Sequence, residues 1–87
     1  MRAEQVLSDY IDQVDFNGAP MRKGTVAALL ANARVWTDHA STEATRAEAA
    51  ADMTAALPAL RAVGLFDVLE IRDARLREWI DSWVDTH

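Results

Sequence analysis

Cysteine is absent from this 87-residue chain, which excludes disulfides, thiolate nucleophiles and thiolate metal ligands together. Histidine occurs only at His39 and His87, too few and too far apart in sequence for a structural metal site. Positive charge is also in the minority. Nine Lys and Arg stand against fourteen Asp and Glu, for a net charge of −5 and a pI near 4.8. Duplex-binding domains draw most of their affinity from phosphate contacts, so this balance argues against nucleic acid as a partner. No apolar run approaches the roughly 18 residues of a membrane span, and residues 1–14 lack the apolar centre of a signal peptide. The expected setting is cytoplasmic, away from any membrane. Lysine occurs once, at Lys23, amid heavy Ala, Arg and Asp usage, which suggests a bacterial, GC-rich genome.

What is present fits a folded domain: 51% of residues are apolar and 26% charged. The length predicts one helical domain over 1–87. Such a chain buries only about 60–65% of the surface its unfolded form exposes, which makes its stability marginal. Small domains compensate with disulfides, metal or oligomerisation. With the first two removed, a homodimer or other protein partner is expected.

Asp15–Thr25 carries the densest local signals. Asn17-Gly18 is a strong two-residue hairpin signal, because both central residues of a type I′ turn need positive φ. A short β-hairpin is therefore expected near residues 14–22, with Pro20 confining its strand to an edge. Gly24-Thr25 then predicts the start of a helix over 26–37. Its buried side is expected to be Val26, Leu29, Leu30, Ala33 and Trp36 or Thr37. Before the hairpin, Val6, Leu7, Tyr10, Ile11 and Val14 form one stripe of a helix over 3–14, with Glu4, Asp9 and Asp12 facing water.

Further along, Ser41 or Thr42 caps a helix over 43–57 that is rich in alanine, with Thr45-x-x-Glu48 as an alternative start. Pro58 predicts a kink or a new first turn, and Gly64 a C-terminal stop after Leu57, Leu60 and Val63. Leu65–Leu69 reads either as a short helical turn or as an irregular core segment. The last helix, over 73–85, sets Leu76, Trp79, Ile80, Trp83 and Val84 on one face. The expected architecture is mainly α: four to five short helices and one hairpin.

Candidate chemistry is sparse. Arg22, Lys23, Gly24 and Thr25 place two cations before a helix N-terminus, where free N–H groups attract anions. That is a candidate phosphate- or anion-binding site, although the spacing matches neither GxxxxGK nor GxGxxG. His39 beside Asp38 and Glu43 is a candidate proton-transfer pair or metal ligand, against the simpler reading of a solvated loop histidine. His87 is expected to be frayed. Asp67, Glu70 and Asp73 cluster around the irregular segment, yet no nucleophile–base pair accompanies them. Ala47–Leu69 has the helix-then-Gly-Leu rhythm of a winged-helix regulator, but Ala49–Leu60 holds no basic residue to set on phosphate. The three tryptophans suit a core or an interface equally well.

Gly24-Thr25-Val26-Ala27, Leu30-x-Asn32, Pro58-x-Leu60, Val63-Gly64-Leu65-Phe66-Asp67 and Glu78-Trp79 together make up a skeleton of turn-forming and apolar residues. In this skeleton the chain resembles a group of small bacterial proteins of uncharacterised activity, over roughly residues 14–80. The resemblance implies a fold and no activity, and no functional residue comes with it.

The functional expectation is a non-catalytic interaction or accessory protein that self-associates through a helical apolar face. Its candidate interface is Leu76, Trp79, Ile80 and Trp83. The alternative is a small anion- or phosphate-ligand-binding domain at Arg22–Thr25. No catalytic, cofactor-binding or metal residue is assigned.

Overall fold

The computed structural model describes residues 13–16 and 19–22 through their backbone and residues 24–87 in full. The helix expected over 3–14 lies outside them up to residue 12, and so do Asn17, Gly18 and Lys23. Strands β1 (Gln13–Phe16) and β2 (Ala19–Arg22) pair antiparallel. Their register sets Gln13 opposite Arg22 and Phe16 opposite Ala19. Four helices follow: α1 (Thr25–Thr37), α2 (Glu43–Val63), α3 (Leu65–Val68) and α4 (Ala74–Thr86). Among the described residues the chain is mainly helical.

Helix α1 begins one residue earlier than the sequence predicts. Gly24 takes the N-cap position at φ +79°, and Thr25 is already helical. Only glycine visits this left-handed region without the clash that a Cβ makes with the following carbonyl. Asp38 ends α1 with an extended backbone and accepts a 2.9 Å hydrogen bond from the Ala40 N–H on its own side chain. The turn into α2 is then locked by Arg46. Its Nε donates to the Trp36 carbonyl at 3.1 Å, and its Nη2 to the Asp38 and Ser41 carbonyls at 3.0 and 3.2 Å. These carbonyls sit at or just beyond a helix C-terminus, where a cation is favoured and no intrahelical N–H is available.

Thr42 caps α2 by accepting the Thr45 N–H at 3.1 Å, and Glu43 occupies the first turn. Of the kink or new first turn expected at Pro58, the new first turn does not form: α2 runs through it to Val63. Proline inside a helix costs about 3 kcal/mol through a lost N–H and a ring clash. Here the ring faces solvent, while Leu57, Ala59 and Leu60 on either side are buried. Burying each leucine contributes roughly 1.5–3 kcal/mol, enough to offset that cost. Gly64, at φ +90°, ends α2 and donates its N–H toward the Arg61 and Leu60 carbonyls.

One core joins α1, α2 and α4. Leu29, Met53, Leu57, Ala59, Leu60, Leu76 and Ile80 form it, and Ala33, Trp36, Trp79, Trp83 and Val84 pack around it. Ala49, Met53, Leu57 and Leu60 follow the four- and three-residue steps of a single helical stripe on α2. Trp36 and Trp79 meet with ring centroids 5.7 Å apart and planes at 32°, tying α1 to α4. The Arg75 guanidinium lies 5.7 Å from the Trp36 centroid on the outside of that pair. Val26 and Leu30, expected on the buried side of α1, are instead exposed, and so is Val63.

Candidate binding surface

The exposed apolar residues of α1 are not scattered. Val26, Leu29, Leu30 and Ala33 form one wall of a groove of about 350 Å³. Leu65 and Phe66 of α3, with Leu69 and Ile71 beyond it, form the other wall, and Leu76 and Ile80 of α4 make the floor. Only Glu70 and Arg72 bring charge to its lining. Leu30 and Leu69 are 59% and 61% exposed, and Val68 close by is 82% exposed. Contiguous exposed apolar area of this kind marks binding surfaces more often than single exposed leucines do.

The same segment has a second, polar side. A hollow of about 370 Å³ is lined by Phe66, Leu69, Glu70, Ile71, Arg77 and Asp81. Within it Arg77 Nη1 pairs with Glu70 Oε1 at 3.2 Å and donates to the Ile71 carbonyl at 3.1 Å. Residues 69–71 therefore form a ridge between an apolar groove and a polar hollow, held to α4 by one guanidinium.

The carboxylates singled out in the sequence each have separate work. Asp73 caps α4, its Oδ1 accepting the Leu76 N–H at 2.9 Å. Glu70 holds Arg77. Asp67 is exposed in the single turn of α3. They make no shared acid–base site. His39 is exposed in the α1–α2 turn beside Asp38, whose side chain already closes that turn. Among the described residues no three His, Cys, Asp or Glu side chains converge as a metal site would require. His87, expected to fray, instead stacks on Trp83 with centroids 4.5 Å apart, its Nδ1 2.9 Å from the Trp83 carbonyl oxygen.

Of the candidate anion site, Gly24 and Thr25 open α1, Arg22 belongs to β2, and Lys23 lies outside the described residues. Of the candidate interface on α4, Leu76 and Ile80 are buried in the chain's own core, and Trp79 and Trp83 are half-buried against it. The face with apolar area to spare is thus the groove beside α1. No sequence signal isolated it, because Val26 and Leu30 share one helical stripe with Leu29 and Ala33. The Arg46 clamp was equally hidden, since its acceptors are backbone carbonyls.

No helix among the described residues is long and apolar enough to cross a membrane. No protein-family model, curated protein or solved structure matches the chain.

Proposed function

We propose that this is a non-catalytic interaction protein whose contact surface is the groove between α1 and the 65–72 segment, and that it self-associates there. One observation supports the reading above others: an apolar trough of about 350 Å³ opens to solvent and is walled by leucines, phenylalanine and isoleucine. A trough with two apolar walls suits an amphipathic helix, whose residues at i, i+3, i+4 and i+7 enter as a row. The acidic net charge opposes association only weakly, because charges more than about 8 Å apart are largely screened at physiological salt.

Sedimentation equilibrium across micromolar to millimolar concentrations tests the proposal. The expected result is association that disappears when Leu30→Asp and Leu69→Asp are introduced together, with the helical circular dichroism retained. A single 9.6 kDa species throughout that range would overturn it.

A further inference from the structure

We propose that helix α1 of a second copy occupies this groove, the two α1 helices lying parallel about a two-fold axis, with Arg34 of each copy paired to the partner's Glu70. The inference rests on the groove being the contact surface and names its occupant and the charge pair that selects it.

The occupant follows from which helix has apolar surface left over. Leu57 and Leu60 of α2 and Leu76 and Ile80 of α4 are spent in the core. Among the described helices, α1 alone exposes two large apolar side chains one turn apart, Val26 and Leu30. They stand at the lip of the trough. Knob and groove therefore share one face, and a two-fold axis offers each knob the other copy's groove, the same contact made twice.

The direction follows from the path of the wall. Helices α1 and α2 are joined by the short turn 38–42, and Arg46 near the start of α2 reaches the Trp36 carbonyl near the end of α1, so the two run antiparallel. Gly64 ends α2 at the far end, and the chain then returns to Arg75, whose guanidinium lies over Trp36. The 65–72 wall thus runs in the direction of α1, with Glu70 toward the half that carries Arg34. A two-fold axis parallel to α1 keeps those levels matched between copies, whereas an axis across it would bring Arg34 to the Leu65 end.

Charge then favours a second copy over an unrelated helix. Val26, Leu30 and Arg34 stand at i, i+4 and i+8, each about 40° further round α1 than the last. Arg34 is exposed, and its side chain makes no ion pair among the described residues. Glu70 gives Oε1 to Arg77, and its other oxygen is free to accept a second guanidinium. The contact is smaller than the roughly 800 Å² per partner of a stable complex, which places it in the weak class. In that class a rim charge pair sets specificity more than affinity.

A charge swap tests the pairing by sedimentation equilibrium, with helical circular dichroism as the folding control. Arg34→Glu and Glu70→Lys should each weaken association about tenfold, because two like-charge contacts replace two favourable ones. An equimolar mixture of the two variants should associate within about threefold of the parent chain, since both pairs re-form with their signs exchanged. The absence of native cysteine gives a second readout that leaves the charges in place. After mild oxidation, Val26→Cys and Leu30→Cys should each form a disulfide between identical chains, and Ala47→Cys, exposed on α2, should not. Only a parallel pair brings both positions to their own counterparts, because an antiparallel pair can do so only at its crossing point.

Rescue in the mixture together with self-linking at both positions supports the proposal. Association that is lost with Leu30→Asp and Leu69→Asp, yet shows no rescue or links at only one position, overturns this pairing and leaves the groove as the contact surface. A parent chain that does not associate removes both.

Discussion

Leu57 and Leu30 are the same side chain on two neighbouring helices, yet one is 0% and the other 59% exposed. The difference lies in how wide a stripe each helix presents. At about 100° per residue, Trp36, Leu29, Ala33, Val26 and Leu30 follow one another around α1 over roughly 120°. Helix α2 brings its large buried side chains, Met53, Leu57 and Leu60, within about 60° of one another, and the rest of its buried face is alanine, Ala49 and Ala59. The core therefore takes the Trp36 and Leu29 edge of α1, and the Val26 and Leu30 edge is left to line the groove. Helical periodicity predicts that a residue is on the apolar side, while the breadth of the opposing helix decides whether it is covered.

The largest effect expected from this contrast is on the covered side. Leu57→Ala empties a site with no solvent exposure and should cost about 2–5 kcal/mol. That is much of the ~5–15 kcal/mol that a domain has, so urea unfolding of the variant should begin near zero denaturant. Leu30→Ala should cost less than half as much in the same assay. Equal losses at the two positions would mean that both leucines are equally covered and would erase the distinction.

An intermediate effect is expected where the backbone makes the turn that separates the two faces. Gly64 ends α2 at φ +90°, and a Cβ added there would come no nearer than 3.6 Å to Asp67 Oδ2. Space is not the obstacle, so the cost of Gly64→Ala is conformational, about 1–2 kcal/mol. A stability unchanged within about 0.3 kcal/mol would mean that the α2–α3 turn adopts another conformation. Asp73→Ala, which removes the cap of α4, should cost about 1 kcal/mol, and Asp73→Asn only a fraction of that. Similar losses for both would show that Asp73 acts by charge rather than by accepting the Leu76 N–H.

The helices were legible from residue pattern because their ends carry local chemistry. Thr42 and Gly64 mark boundaries with a side chain and a φ that the sequence announces, the helix expected over 73–85 is found at Ala74–Thr86, and the capping role of Asp73 is shown by the structure alone. At Pro58 the alternative of a new first turn failed because a local penalty was outweighed by burial on both sides of it, a tertiary effect. The groove was illegible for the related reason that exposure of Val26 and Leu30 depends on what α2 and α4 fail to cover. The candidate interface on α4 reflects the same limit: periodicity identified Leu76 and Ile80 as apolar partners, and packing within the chain already uses them.

The smallest effect concerns the ridge that divides the groove from the polar hollow. Arg77 reaches Glu70 at 3.2 Å and the Ile71 carbonyl at 3.1 Å, with the Glu70 side chain 79% exposed. An exposed ion pair contributes about 0.2–1 kcal/mol, and less as salt rises. Glu70→Gln should therefore change stability by no more than about 0.5 kcal/mol, and sodium chloride at about 1 M should abolish the difference. Arg77→Ala removes the bond to Ile71 as well, so its loss should be larger and should partly survive salt, since a neutral acceptor is left behind. A double-mutant cycle measured at low and high salt separates the two contributions. A coupling energy that persists undiminished at high salt would mean that Glu70 and Arg77 meet in a dry site. The ridge would then be part of the core, and the groove and hollow on its two sides would not be open surfaces.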